Sequence, residues 1–177
     1  PGCKLDTMPI LEGSQGLGKQ KFCETLGGDW YGDLSLDPSS KDSIYHIQQY
    51  WIIEVAEMTM FKRANNEQIK AFMSRRFDPL RKVYQSYTSK MGRHCVFIGS
   101  INPTGGYLTD ATGNRRFYPV PCSYCDDEAL KEDRDQLWAE AYRRCMDEPE
   151  EPYYSTDPDA LKLAKRMQRS RVMVDPW

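Results

Sequence analysis

Short apolar runs alternate with amphipathic stretches along the chain. Met8-Pro9-Ile10-Leu11 runs into a glycine-rich turn, the pattern of a buried strand. Lys19 to Leu26 follows with helical character until Gly27-Gly28 stops it. Asp33-Leu34-Ser35-Leu36 reads as a short strand and Ser40 to Gln49 as a helix. Trp51-Ile52-Ile53-Glu54-Val55 has a β-branched centre and an acid near its end, which predicts another strand. Ile69, Phe72 and Met73 recur at helical spacing within Glu67 to Arg76. Cys95 to Ile101 predicts a buried strand ended by Asn102-Pro103, and Arg116 to Val120 a last one kept short by Pro119. From Asp127 to Cys145, Leu130, Leu137, Trp138, Ala141 and Cys145 mark one face of a helix that Pro149 and Pro152 end. A basic helix, Asp159 to Arg171, closes the chain.

Strands alternating with helices predict one α/β domain over residues 1–177, built on a largely parallel sheet with flanking helices. The segment from about 78 to 93 is longer than a simple connection and carries Tyr84, Tyr87 and Gly92. A β-hairpin inserted before the Cys95 strand accounts for it.

Composition adds a core and an uneven charge. Of 177 residues, 40% are apolar and 12% aromatic, enough to fold. The net charge of −2 excludes a polybasic binder, yet residues 61–120 hold 11 Lys/Arg against 3 Asp/Glu. No apolar run approaches the ~20 residues that cross a bilayer. The opening Pro1 and the open end Asp175-Pro176-Trp177 predict a domain excised from a longer cytoplasmic protein. Six cysteines, at 3, 23, 95, 122, 125 and 145, read as reduced thiols. Cys122-Ser-Tyr-Cys125 has the spacing of half a zinc site, but there is no second close pair and only His46 and His94 to complete it. So few histidines also disfavour a histidine-dependent hydrolase.

Gly13-Ser14-Gln15-Gly16-Leu17-Gly18-Lys19 fits G-x-x-x-x-G-K between a predicted strand and a predicted helix. Glycines let backbone N–H groups turn inward around a polyphosphate, the helix N-terminus adds its positive dipole end, and Lys19 reaches the outer phosphates. The next position, which usually offers magnesium a Ser or Thr hydroxyl, is Gln20, and Lys21 adds a second cation. A triphosphatase also needs acids for magnesium and water. Glu54 and Glu57 follow an apolar strand, Asn102 ends another, and Arg115-Arg116 after Thr112-Gly113-Asn114 offers a finger to a neighbouring subunit. A small-molecule kinase on the same loop is disfavoured, because Asn102 and the arginine pair suit a sensor and finger better than an acceptor site.

Leu11 to Lys19 and Trp51 to Glu57 closely resemble the virulence-associated protein E family of phages, prophages and pathogenicity islands. So do Ile69-Lys70-Ala71-Phe72 with Asp78, Arg81 and Tyr84; Phe97 to Asn102; Leu108-Thr109-Asp110 leading into Gly113 to Phe117; and Asp135 to Ala141. The family is similar to superfamily 3 helicases and to the helicase half of poxvirus-type primase-helicases, ring-forming ATPases of the AAA+ kind. The resemblance implies a P-loop NTPase fold with strand order 5-1-4-3-2 and a hexamer binding ATP and Mg2+ between subunits. It implies the Walker A lysine in Lys19, Walker B acids and magnesium ligands in Glu54 and Glu57, the sensor asparagine in Asn102 and a finger in Arg115 or Arg116. Lys70, Asp78, Arg81 and Tyr84 match the motif leading to a DNA-contacting hairpin. Lys82, Lys90 and Arg93 flank that hairpin with Tyr84 and Tyr87 between them, a pattern for single-stranded or forked DNA. The implied activity is an ATP-dependent DNA helicase or translocase replicating a mobile element. The alternative is an ATP- and DNA-binding assembly module whose hydrolysis Gln20 weakens.

Overall fold

The apolar runs become strands β1 (Met8–Glu12), β2 (Tyr31–Asp33), β3 (Ile52–Val55), β4 (Phe77–Leu80), β5 (Ser89–Gly92), β6 (Val96–Ile101) and β7 (Phe117–Pro121). The helices are α1 (Lys19–Gly27), α2 (Lys41–Ile47), α3 (Asn66–Met73), α4 (Asp127–Asp147) and α5 (Pro158–Ser170). The computed structural model describes residues 2, 4–34, 40–58, 66–80, 89–102, 105–108, 114–148 and 155–173. Five strands form one sheet in the order β2-β3-β6-β1-β7, every neighbouring pair parallel. Numbered among themselves from one to five, they run 5-1-4-3-2, the order the resemblance implies.

The two-residue period of the strands divides the core. Leu11, Ile52 and Ile98 face α1 and pack with Cys23, Leu26 and Trp138. Met8, Ile10, Ile53, Val55 and Phe97 face the other side, with Ile47 of α2 and Ile69, Phe72 and Met73 of α3. Phe72 is fully buried with its ring centroid 5.6 Å from that of Phe97, so its truncation to alanine costs about 3–5 kcal/mol.

Two expectations shift. The second strand is Tyr31–Asp33 rather than 33–36; Leu34 continues it by donating its N–H to the Glu54 carbonyl, and residues 35–39 lie outside the described ones. Three residues with a central glycine carry too little alternation to announce a strand, and pairing with β3 fixes it instead. On α4 the packed positions are Asp127, Leu130, Arg134 and Trp138, whereas Leu137, Ala141 and Cys145 are exposed. The nine residues of α1 cover about 13 Å and the 21 of α4 about 31 Å, so α1 can cover less than half of α4.

The inserted hairpin is present as the antiparallel pair β4–β5, with Phe77 opposite Gly92 and Leu80 opposite Ser89. Its connection, and with it Arg81, Lys82, Tyr84 and Tyr87, lies outside the described residues. No described helix is long and apolar enough to cross a membrane.

Candidate functional site

Parallel pairing brings the carboxyl ends of all five strands to one edge, and the loop from Gly13 to Gly18 lies there between β1 and α1. Gly18 caps α1 in the left-handed region, at φ 84°, a conformation that a side chain resists. Gly13 is required for closeness: a Cβ on it would stand 2.4 Å from Leu17 Cδ1 and 2.8 Å from the Cys122 carbonyl oxygen. Gly13 N–H donates to the Ile101 carbonyl at 3.2 Å, tying the loop to β6. Ser14, Gln15 and Gly16 stand exposed at the turn.

Lys19, the first residue of α1, is buried and folds back under the loop. Its Nζ donates to the carbonyls of Gly13 at 2.7 Å and Ser14 at 2.8 Å and to Asn102 Oδ1 at 2.9 Å. Three donors thus meet three oxygens, and the charge is held at the junction of loop, helix and β6. Gln20 points elsewhere: it is exposed and its Nε2 donates to Glu24 Oε1 at 2.8 Å along α1. Lys21 is also turned away, pairing with Asp127 of α4 at 2.7 Å.

Glu54 and Glu57 occupy different environments. Glu54 is 2% exposed on the sheet face under α1, where Tyr31 Oη donates to Oε2 at 2.7 Å and Ser100 Oγ to Oε1 at 2.5 Å. Burial, reinforced by the Glu54 carboxylate, pushes the Tyr31 hydroxyl up and keeps it a donor. Glu57 sits just past β3 in a tight turn, exposed, at φ 50°. Left-handed backbone on a non-glycine residue is strained and concentrates at functional turns.

The arginine pair lies at the other edge. Arg115 and Arg116 form the turn before β7, whose Phe117 pairs with Met8 at the start of β1. Within one chain they are a strand's length away from Lys19. Arg115 is exposed, and Arg116 Nε lies 3.4 Å from Asp6 Oδ2. Thr112 and Gly113 lie outside the described residues.

Of the residues expected on the hairpin's basic flank, Lys90 is exposed on β5 and Lys70 half-buried on α3. Arg93 differs. It is 5% exposed, donates from Nε and Nη2 to Asp78 Oδ2 and Oδ1 at 2.9 and 2.5 Å, and donates from Nη1 to the Phe72 carbonyl. Its guanidinium also lies 4.7 Å from the Phe72 ring centroid. Arg93 is therefore a buried anchor for the hairpin root, and Asp78 its counter-ion, rather than a phosphate contact.

Residues 1–173 match the family model of the virulence-associated protein E-like domain. The chain belongs to this family. A search of curated proteins returns no match. Among solved structures, the A-form apo structure of the NrS-1 C-terminal region (305–718) aligns at 13% identity with a TM-score of 0.48, over 95% of this chain and 35% of that one. A second A-form apo structure of that region aligns at 16% identity and a TM-score of 0.44, over 96% and 38%. The virulence-associated protein E-like domain thus spans little more than a third of those chains.

Sequence reasoning missed the groups that brace the domain's loop. Glu12, the residue before Gly13, is buried and takes two bonds from Arg171, Nε to Oε1 at 2.9 Å and Nη2 to Oε2 at 2.7 Å, and one from Tyr107 Oη at 2.7 Å. Burial pushes the Glu12 carboxyl up, but those three donors outweigh it and hold it below the usual value. No local pattern links residues 12, 107 and 171. Ser100 was legible, since alternation from Ile98 puts it on the face of Glu54. Cys122 N–H donates to the Glu12 carbonyl at 2.7 Å, and Cys125 Cβ lies 3.6 Å from a Cβ placed on Gly18, so the Cys-x-x-Cys turn backs the loop. Among the described residues, no group of three or more His, Cys, Asp or Glu side chains is placed to hold a metal.

Proposed function

We propose that the domain is a P-loop ATPase motor of the AAA+ kind that binds ATP with Mg2+ and acts on DNA as a helicase or translocase in replicating a mobile element. The observation that carries this reading is the position of Lys19, buried at a helix start and bonded at once to the glycine-rich loop and to Asn102. Backbone N–H groups of the loop and the amino end of α1 suit a polyphosphate, and Lys19 exchanges its carbonyl partners for phosphate oxygens. ATP supplies the phosphoryl bond whose hydrolysis drives the motor.

In this reading Asn102 orients the attacking water beside Lys19, and Glu57, exposed past β3, takes its proton. Glu54, already bonded by Tyr31 and Ser100, fixes the end of β3, and Glu54 and Glu57 are the carboxylates that would hold magnesium there. Arg115 or Arg116 acts on a neighbouring subunit's nucleotide, because neither lies on the loop edge of its own sheet. That requirement supports a ring, a hexamer in the family's manner. The hairpin, with Lys90 exposed, is the element offered to single-stranded or forked DNA.

Gln20 favours a second reading. Its Nε2 donates to Glu24 along α1, and position 20 offers no hydroxyl of the kind that usually ligates magnesium. A domain that binds ATP and DNA and acts by assembly, with little hydrolysis, fits that geometry. Titration with a fluorescent ATP analogue, with and without Mg2+, tests the shared claim. Binding that Lys19→Ala abolishes supports both readings, and no binding at millimolar magnesium overturns both. A gain in affinity with Mg2+ favours the motor, and indifference to Mg2+ the assembly module.

A further inference from the structure

The amino edge of the sheet carries an aromatic cluster that the nucleotide site does not use. Trp30 precedes β2 and Trp51 precedes β3, and the Trp51 N–H donates to the Trp30 carbonyl at 2.8 Å. That bond sets the indoles face to face, centroids 5.1 Å apart and planes within 14°. Trp138 of α4 meets Trp51 edge-on at 6.5 Å. Even so, Trp30 and Trp51 remain 49% and 45% exposed. Large aromatic area left in water beside a cavity marks a contact surface.

The cavity beside Trp51 measures about 490 Å³, within the size range of small-ligand sites. Leu5, Trp51, Cys95 and Val96 give it apolar walls, and Arg75 and His94 polar ones. Among the described residues, no carboxylate lines it. Arg93, also at its wall, is neutralised by Asp78, whereas Arg75 makes no ion pair with a described carboxylate and lies 5.5 Å from the Phe72 ring centroid. The cavity sits at the hairpin root, where Arg93 N–H donates to the Arg76 carbonyl at 2.9 Å. It is a strand's length, about 15–20 Å, from the Lys19 loop.

We propose that this edge is a stacking platform for single-stranded DNA. An unpaired base enters the cavity and packs against the part of Trp51 that lines it, while Arg75 and His94 take the flanking phosphates. A flat aromatic face beside the Arg75 cation, with no acid among the described lining residues, complements a base and its phosphate and repels a basic peptide. The proposal rests on the proposed function only for the identity of the polymer, and it needs neither ATP nor a ring.

Anisotropy of a labelled short oligothymidylate at low salt, with the whole chain and no nucleotide, tests it. Trp51→Ala weakens binding about tenfold or more, Trp51→Phe retains most of it, and Arg75→Ala weakens it while flattening the salt dependence. Indole fluorescence is quenched by the oligomer and not by AMP at the same concentration. Equal affinity of Trp51→Ala and the parent chain overturns the platform and leaves DNA binding through the hairpin intact. Quenching by AMP alone overturns the strand assignment in favour of a mononucleotide pocket. Unchanged DNA affinity with a shift from oligomer to monomer in Trp51→Ala also overturns it, since the face then joins copies of the chain. An oligomer that fails to bind the parent chain sinks this proposal and the DNA-acting function together.

Discussion

Lys19 Nζ donates to Asn102 Oδ1 at 2.9 Å, joining residues 83 apart in the chain across the carboxyl edge of the sheet. The bond couples the loop after β1 to the end of β6, so whatever draws the ammonium toward a phosphate also frees the asparagine amide. Under the proposed ATPase reading, Asn102→Ala is expected to lower kcat for ATP hydrolysis by about 10²-fold, the scale of one positioned polar group, with a far smaller change in KM. Steady-state kinetics checks the split; an equal loss carried by KM alone places Asn102 in binding.

Gln20→Ser restores a hydroxyl where the amide now leans toward Glu24. Magnesium-dependent turnover is expected to rise several-fold while the melting temperature stays within about 2 °C, because position 20 is exposed. Phosphate release measured across a magnesium titration reads the effect.

Arg93 and Asp78 form a buried pair whose bonds are all internal. Removing one partner leaves a charge without its counter-ion, so Arg93→Ala is expected to cost about 3–5 kcal/mol and lower the melting temperature by about 10 °C. Lys90→Ala, at an exposed position, is expected to leave the melting temperature unchanged and weaken oligonucleotide binding. Thermal melts and DNA titrations on both variants separate scaffold from contact.

What was legible in the sequence follows from how local each signal is. Apolar runs ending in polar residues located β1, β3 and β6, and the glycine spacing located the loop, because neighbouring residues encode both. The strand Tyr31–Asp33 was misplaced because Gly32 interrupts it and β3 dictates its pairing. Arg93 read as one more cation of a basic stretch, since nothing near it in sequence shows that Asp78, on the facing strand of the hairpin, lies within reach. The bracing of Glu12 by Arg171 depends on where the last helix returns, which only tertiary packing decides.

Glu12 gives the fold a pH dependence. Its folded-state carboxyl is held below the ordinary glutamate value of about 4.3, so at acid pH the unfolded chain binds more protons and stability rises with pH. The contribution is present above about pH 4.3 and is lost as pH falls through the lower, folded value. Urea unfolding from pH 6 to 3 is expected to show a shallower acid loss for Glu12→Gln than for the parent chain; parallel curves exclude Glu12 as a source.

ATP turnover with and without single-stranded DNA, measured on the parent chain and on Lys19→Ala, tests the proposed motor most directly. The proposed motor predicts hydrolysis that DNA stimulates and that Lys19→Ala abolishes. Turnover indifferent to both DNA and Lys19 contradicts it.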